Sequence, residues 1–368
     1  MLKKIGIISL SLIIVAGVVV STVKVEVKNE LDKVGANQLG WVFFEDSNSN
    51  GEFDYNETVF KSVSVGLRRP GEMTAFVTVP AEVNGLVKID GLEPGIYEVQ
   101  YLNYELEQPY EIGGFALRRY YQIIEEGKSR YSFLPTEWKE IELTSAGFKA
   151  KVGLKEYQPA AVLAIREGKQ VVFYDPVRAK ILGQSQWTDG IERQFYFKAG
   201  QIYYMENKQL KQFSFKDKLS AAVGDRYLCD DLNSCLEENK LKEEQKFFYS
   251  NDEGSFFTDQ QSGKTTKYTA LGSGVNAVVS EDGKYVGANL NGSIMVVDYP
   301  AVMASGVEKH YLLPFSGQIV FSREEVLINQ GKEIVRIALK GNGVWEIKNR
   351  IELKDIQADE ILGEIRLN

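Results

Sequence analysis

The amino-acid sequence predicts an all-β protein whose two domains follow an N-terminal hydrophobic segment. A chain of 368 residues, 44% of them hydrophobic, is too long for one small module and has enough apolar material for two cores. Short runs rich in Tyr, Phe, Val and Ile recur along the chain, and Gly, Asn and Asp turn signals separate them. These runs predict strands joined by tight turns rather than helices.

Residues 1–23 are expected to form a signal peptide or an uncleaved signal-anchor helix. Lys3 and Lys4 form a positive n-region, and 19 uncharged residues run from Ile5 to Val23, close to the ~20 residues that span a bilayer. Because a clear A-x-A cleavage site is missing, cleavage and retention in the membrane both stay open. A buried cytoplasmic helix is a third alternative. Either form of export places the rest of the chain outside the cytoplasm, secreted or at the cell surface.

Charge and histidine content exclude several classes of function. The chain has 43 basic and 51 acidic side chains, a net charge of −8 and no basic stripe, so we expect no nucleic-acid partner. Without Lys3 and Lys4 the exported part carries −10. The single histidine, His310, excludes a zinc site of several histidines, and any Ser-His-Asp or Cys-His site would have to use it. Because His310 lies in a predicted strand, we expect it to be structural.

After a polar linker at residues 24–37, the first domain is predicted at residues 38–157, and its most informative feature is a twelve-residue acidic loop. Counted from Asp46, oxygen-bearing side chains occupy positions 1, 3, 5, 9 and 12, and glycine occupies position 6. This is the calcium-binding pattern D-x-N-x-N-G-x5-E, in which position 7 contributes its backbone carbonyl. The predicted Ca²⁺ ligands are Asp46, Asn48, Asn50, Glu52 (through its carbonyl), Asp54 and Glu57.

Each part of this pattern has its own physical reason. Alternate side chains turn their oxygens inward, Gly51 permits the sharp bend, Phe53 packs the loop on the core, and Glu57 can supply two oxygens. Only Asp46, Asp54 and Glu57 bring charge, so we expect a modest affinity that suits millimolar calcium. An acidic hairpin turn that binds no metal is the alternative.

Strands rather than helices flank the loop, since neither side shows the i, i+3, i+4 spacing of a helix. A calcium loop between strands resembles the SdrD B-like domains, which are calcium-binding immunoglobulin-like modules of Gram-positive surface adhesins. The residues that match the family pattern in order are Gly40, Val42, Asp46, Asn48, Asn50, Gly51, Asp54, Val63, Val65, Leu67 and Leu92–Tyr97. The resemblance implies a sandwich of about seven strands that Ca²⁺ stiffens at one edge, and no enzymatic activity. The spacer from Tyr104 to Trp138 is longer and more aromatic than is usual in the family.

Residues 158–368 are predicted to form a β-propeller-like second domain. Five strand units begin near residues 160, 194, 246, 276 and 318, and their mean spacing is near the ~40 residues of a propeller blade. One unit, Ser280–Val286 followed by Asn291–Ile294 and Asp298, is similar to blades of the YVTN and WD-repeat type. Val344–Leu353 and Ile361–Leu367 are expected to complete the last blade. A plain β-sandwich or a second immunoglobulin-like pair is the alternative.

A polar insertion at about residues 217–245 is expected to be partly helical, and it contains the two cysteines of the chain. Cys229 and Cys235 are six residues apart, and in an oxidising compartment such a pair usually forms a disulfide. A redox-active couple is the alternative, although it would favour the tighter C-x-x-C spacing.

Together these features predict an exported, membrane-tethered cell-surface protein. A calcium-stabilised module would present a propeller-like binding or scaffold domain to a protein or carbohydrate ligand, for adhesion or another interaction. The alternative is an extracytoplasmic propeller hydrolase or lyase that acts on surface polysaccharide. Three or more converging Asp, Glu or Arg side chains at one mouth of the central channel would favour the enzyme, and an apolar plug would favour the scaffold.

Overall fold

The structure, a computed structural model, describes residues 31–367 with short gaps. The gaps are Tyr55, Asn342 and the segments 103–108, 126–127, 131–133, 187–193, 224–229, 242–247, 259–261 and 306–308, and the side chains of 128–130 and 305 are also left out. The predicted leader therefore lies outside the described residues. Within them, no helix is both long enough and apolar enough to cross a membrane.

The chain divides into two compact units that do not follow the sequence in a simple order. The first unit comprises Met1–Pro109 and Arg118–Tyr157, and the second comprises Tyr110–Leu117 and Gln158–Asn368. The short segment Tyr110–Leu117 thus lies in the sequence of the predicted first domain but belongs to the second structural unit.

The first 157 residues contain eleven described strands, nine of which form the two sheets of the first unit. The strands are β1 (Leu39–Glu45), β2 (Ser64–Arg68), β3 (Val77–Pro80), β4 (Leu86–Ile89), β5 (Gly95–Leu102), β6 (Tyr110–Ile112), β7 (Phe115–Leu117), β8 (Tyr121–Glu125), β9 (Lys128–Arg130), β10 (Lys139–Leu143) and β11 (Phe148–Glu156). One sheet has the order β4-β1-β11-β8-β9 and the other β10-β5-β2-β3. The strands β1 and β11 are parallel, while the other pairs are antiparallel.

The first unit is a two-sheet sandwich with one shared core. Strand β1 is buried throughout Leu39–Phe44 because both of its faces are covered. Trp41 packs into the core between the sheets, whereas Val42 packs against Leu31 and Val34 on the opposite face. The prediction of an all-β fold is confirmed, and the finer resemblance to an immunoglobulin-like calcium module stays a prediction.

The hairpin formed by β6 and β7 explains the unusual spacer after Tyr104. Strand β7 pairs with β14 of the second unit, so the hairpin extends a propeller sheet outward by two strands. Phe115 at the start of β7 is fully buried, and its ring stacks on Phe213 with centroids 4.2 Å apart. The boundary predicted between the two domains therefore does not separate their residues cleanly.

Nineteen further strands are described in the second unit. They are β12 (Ala161–Glu167), β13 (Gln170–Asp175), β14 (Lys180–Ser185), β15 (Phe195–Lys198), β16 (Gln201–Glu206), β17 (Gln209–Ser214), β18 (Leu219–Ala222), β19 (Phe248–Asn251), β20 (Gly254–Thr258), β21 (Thr265–Tyr268), β22 (Ala277–Val279), β23 (Tyr285–Leu290), β24 (Ser293–Asp298), β25 (His310–Leu313), β26 (Ile319–Ser322), β27 (Glu325–Asn329), β28 (Glu333–Gly341), β29 (Val344–Glu352) and β30 (Glu360–Arg366). They form five sheets in the orders β30-β12-β13-β14-β7-β6, β15-β16-β17-β18, β19-β20-β21, β22-β23-β24-β25 and β26-β27-β28-β29.

The five sheets are the blades of a propeller-like arrangement that the last strand closes. Sequential antiparallel hairpins build each blade, as the turn signals predicted. The last strand, β30, pairs with β12 of the first blade and also neighbours β26 and β15, the first strands of the last and second blades. The propeller-like prediction is confirmed at this level of architecture.

One detail of the predicted blades is wrong. Val344–Leu353 does supply the outer strand of the last blade, but Ile361–Leu367 does not belong to that blade. The last blade already has four strands, whereas β12 would expose the edge of the first blade without a partner. The C-terminal strand covers that edge and so joins the two ends of the second unit.

In the blade that resembles YVTN and WD repeats, the spacing of the motif forms a turn that side-chain hydrogen bonds stabilise. Ser280 Oγ donates to Asp282 Oδ1 at 2.7 Å and accepts the Tyr285 N–H at 2.8 Å. Gly283 has φ +70°, which a residue with a side chain rarely adopts. The Ser-x-Asp-Gly-x-Tyr spacing therefore encodes the hairpin that enters β23.

The predicted polar insertion is smaller than expected. Strand β18 occupies Leu219–Ala222 as the fourth strand of the second blade, and helix α1 spans Leu232–Glu238. Asp231 caps this helix by accepting the Ser234 N–H at 3.0 Å. Two other short helical elements of the second unit are a 3-10 turn at Thr269–Leu271 and helix α2 at Tyr299–Ser305.

Candidate functional site

The predicted calcium loop connects the end of β1 to the segment that leads into β2. Its first residues are held by the backbone, because the Asp46 N–H donates to the Leu154 carbonyl of β11 at 3.0 Å. Ser49 and Gly51 have φ of +63° and +77°, so the bend assigned to Gly51 is present. Phe53 packs on Phe44 with ring centroids 5.2 Å apart, as the loop pattern predicted.

The first and last carboxylates of the loop are buried. Asp46 is 0% exposed, and its two oxygens accept the N–H groups of Asn50 at 3.2 Å and Gly51 at 2.8 Å. Glu57 is 3% exposed, and its oxygens accept the N–H groups of Ser47 at 3.0 Å and Asp54 at 2.9 Å. Both carboxylates are thus fixed by backbone hydrogen bonds from the loop itself.

The other side chains predicted to be ligands meet at Asp54. The Nδ2 atoms of Asn48 and Asn50 both donate to Asp54 Oδ2 at 2.6 Å. Their oxygens accept backbone N–H groups, of Asn50 and Glu52 respectively, at 3.0 and 2.8 Å. The Glu52 side chain points elsewhere and pairs with Lys151, which is consistent with a residue whose predicted contribution is its carbonyl.

The residues of the loop fit a hard cation by their charge and oxygen chemistry. No ion pair to Asp46 or Glu57 occurs among the described residues, although a buried carboxylate usually has a cationic neighbour. The described residues hold no cluster of three or more His, Cys, Asp or Glu placed to bind a metal. The three carboxylates of the loop, Asp46, Asp54 and Glu57, are therefore not gathered around one point in this structure, and the amides of Asn48 and Asn50 would have to rotate to present oxygen instead of nitrogen.

The residues of β11 on which the loop lies were not predicted from the sequence. Val152 and Leu154 point into the sandwich core, so the alternate residues Lys151, Gly153 and Lys155 share the opposite face. A Cβ atom on Gly153 would lie 2.6 Å from Cβ of Asp46, so the loop needs glycine at this position. This dependence has no local signal, since about a hundred residues separate Gly153 from the loop.

The structure describes one of the two cysteines that were predicted to form a disulfide. Cys235 is buried in helix α1, while Cys229 lies outside the described residues. The Cys229–Cys235 bond stays a prediction. Mass spectrometry of the exported protein would support it if neither thiol reacts with an alkylating agent.

His310 begins β25, and its Nδ1 lies 3.1 Å from the Tyr268 hydroxyl at the end of β21.

A second cluster of charged side chains lies where the C-terminal strand meets the last blade. Glu364 of β30 bonds to Arg336 of β28 and to Ser322 of β26, and Arg336 also pairs with Glu325 at 2.9 Å. Arg366 pairs with Glu364 at 3.1 Å and with Glu325 at 3.3 Å. Two carboxylates and two guanidinium groups therefore balance one another.

The electrostatics of this cluster favour a structural role. Burial alone would raise the pKa of Glu364, but hydrogen bonds from Arg336 and Ser322 outweigh it and lower the pKa below its ordinary value. A general acid in glycoside cleavage needs a carboxyl group with a raised pKa. These ion pairs join β30, which belongs to the first blade, to strands of the last blade, and the choice between a scaffold and a propeller enzyme stays a prediction.

Comparisons with known proteins reveal distant structural likeness. No family model matches the chain, and no curated protein matches it. Among solved structures, it is similar to AztD from Citrobacter koseri, with 8% identity over 85% of this chain and 80% of that one and a TM-score of 0.23. It is also similar to an auxiliary nutrient binding protein from Bacteroides thetaiotaomicron, with 10% identity over 74% and 89% of the two chains and a TM-score of 0.23.

A third similar structure is a quinonprotein alcohol dehydrogenase-like protein from Bacteroides thetaiotaomicron. The identity is 9%, the coverage is 85% of this chain and 68% of that one, and the TM-score is 0.19. Likeness at such TM-scores carries no argument about function. The propeller-like class of the second unit rests instead on its own strand order and on the return of β30 to the first blade.

Proposed function

We propose that the chain is an exported, membrane-tethered cell-surface protein in which a calcium-stabilised, immunoglobulin-like module presents a propeller-like binding or scaffold domain. The hydrophobic segment of residues 1–23 supports export and tethering. The ligand of the second unit is a surface protein or carbohydrate, and the interaction is adhesive or scaffolding.

The observation that carries the calcium part is the pair of buried loop carboxylates. Asp46 and Glu57 are fixed by backbone N–H groups and have no ion pair among the described residues. Bound Ca²⁺ would supply the positive charge that these carboxylates lack. Because Ca²⁺ would bind the folded loop and not the unfolded chain, it would stabilise the first unit by mass action.

Calorimetry of the full exported chain tests this proposal. Chelation of calcium should lower the melting temperature of the transition that belongs to the first unit and leave the second transition in place. The double variant Asp46→Ala, Glu57→Ala should melt at the same temperature with and without chelator. If the wild-type chain itself is insensitive to chelator, the loop is an acidic turn and holds no calcium.

The cell-surface part is tested separately from the calcium part. Protease added to intact cells should digest both units, whereas a cytoplasmic protein would be protected. Release of the chain by detergent but not by a high-salt wash would support tethering through residues 1–23. Recovery of the chain in the medium would show that the leader is cleaved.

A further inference from the structure

Two lysines lie at the rim of the calcium loop without contacting its buried carboxylates. Lys151 Nζ is 2.6 Å from Glu52 Oε2, and Lys155 Nζ donates to Ser49 Oγ at 2.8 Å. Both lysines belong to β11, two residues on either side of Gly153, where the loop comes closest to the strand. Their positive charges are therefore fixed beside the loop by the strand and not by the loop's own sequence.

The two loop residues that the lysines contact are not predicted to coordinate an ion through their side chains. Ser49 is position 4 of the loop and contributes no ligand, and Glu52 is predicted to contribute its backbone carbonyl alone. Ser49 also has a positive φ, so a hydrogen bond to its hydroxyl holds a backbone bend that few residues adopt. The lysines can thus support the bend without contacting the carboxylates of Asp46 and Glu57, which accept hydrogen bonds from backbone N–H groups and the Ser47 hydroxyl.

We propose that Lys151 and Lys155 are fixed counter-charges that stabilise the loop without its ion and lower its affinity for Ca²⁺. This inference rests on the proposed function of the loop as a calcium site. The lysines attract the net negative loop when it is empty, and they repel a divalent cation once it binds. The loop would consequently respond to calcium at the cell surface rather than be saturated at low concentrations.

The inference predicts opposite effects of one substitution on stability and on affinity. In the full chain, Lys155→Met should bind Ca²⁺ about five-fold more tightly, because a positive charge near the ion is lost. The same variant should melt at a lower temperature than the wild type in chelator. Lys151 is an exposed side chain, so Lys151→Met should shift affinity in the same direction by about two-fold, and it tests the charge effect if Lys155→Met fails to fold.

Isothermal titration with CaCl₂ measures the affinities, and two controls isolate the charge. Lys155→Arg keeps the charge and should bind like the wild type. Lys149→Met removes a lysine of the same strand whose Nζ contacts the Asp32 carbonyl at 2.7 Å rather than the loop, and it should change the affinity by less than two-fold. The gain in Lys155→Met should shrink in high salt, because screening weakens interactions between exposed charges.

The outcomes distinguish this inference from the proposed function. If the wild-type chain binds no calcium, the proposed calcium site is wrong. If the wild type binds calcium and the Met variants bind it equally or more weakly, the lysines do not oppose the ion and the counter-charge inference is wrong. Equal gains in Lys155→Met and Lys155→Arg would point to side-chain packing, and would also overturn it.

Discussion

At the scale of single residues, Gly153 shows how a strand position can limit a distant loop. A Cβ atom there would lie 2.6 Å from Cβ and 2.7 Å from Oδ2 of Asp46, so Gly153→Ala must displace the Asp46 side chain. We expect the variant to lose about 1–3 kcal/mol of first-unit stability through overpacking and to respond less to calcium. Thermal melting with and without calcium measures both effects.

A matched control for this substitution is Gly66→Ala in β2. A Cβ atom on Gly66 would meet its nearest neighbours at 3.5 Å, an ordinary contact, so this variant should keep its calcium response. If the two variants lose the response equally, the close approach of Gly153 to Asp46 does not govern the loop.

The buried carboxylate of Glu364 should make the stability of the second unit depend on pH. Its carboxylate is 0% exposed and paired, and its pKa in the folded chain is lowered. The stabilisation is complete above the pKa of an unfolded glutamate, about 4.3, and is lost as the pH falls through the lower folded-state value. We therefore expect the second transition to move to lower temperature below about pH 4.

The variant Glu364→Gln isolates this contribution. It should destabilise the second unit by about 3 kcal/mol at pH 7, since it leaves part of a buried charge cluster unpaired, and its melting should depend less on acid pH. Glu346→Gln is the control, because Glu346 is an exposed partner of Lys340 and Lys348 and such pairs contribute little. Equal acid sensitivity in wild type and Glu364→Gln would contradict the assignment.

At the scale of elements, the hairpin β6-β7 makes a segment of the first domain's sequence a part of the second unit. Phe115 packs against Phe173 and Phe213, and the Tyr204 hydroxyl donates to the Gly113 carbonyl at 2.9 Å. We expect Phe115→Ala to cost about 3–5 kcal/mol and to lower the melting temperature of the second unit rather than that of the first unit.

Phe76 offers a comparison within the first unit. Its side chain is 51% exposed in the connection between β2 and β3, so Phe76→Ala should leave both transitions nearly unchanged. A shift of the first unit's transition in Phe115→Ala, with the second transition unmoved, would place the energetic role of the hairpin in the first unit instead.

The same elements show what the sequence could and could not predict. Turn signals such as Asp282-Gly283 are local, so the strands of each blade could be predicted from the chain alone. The destination of β7 could not, because Phe115–Leu117 has the composition of any buried strand. Likewise, the predicted calcium ligands follow a fixed spacing in the sequence, whereas Gly153 and Lys155 meet that loop through the parallel pairing of β1 and β11.

At the scale of the whole molecule, the C-terminal strand joins the two ends of the second unit. Pairing of β30 with β12 buries Ile361 and Ile365, and Gly363 lies so close to the Phe197 ring of the second blade that a Cβ atom would overlap it. Removal of residues 360–368 would expose the edge of β12 and the partners of Glu364.

We therefore expect this truncation to abolish the second calorimetric transition and leave the transition of the first unit in place. The reason is that the deletion removes both the hydrogen-bonded edge and the ion pairs that connect the last blade to the first. Removal of Asn368 alone should have no effect, since β30 ends at Arg366. If the second unit of the truncated chain melted cooperatively at the wild-type temperature, the blades would be stable without β30. The pairing of β30 with β12 would then not be required for the stability of the second unit.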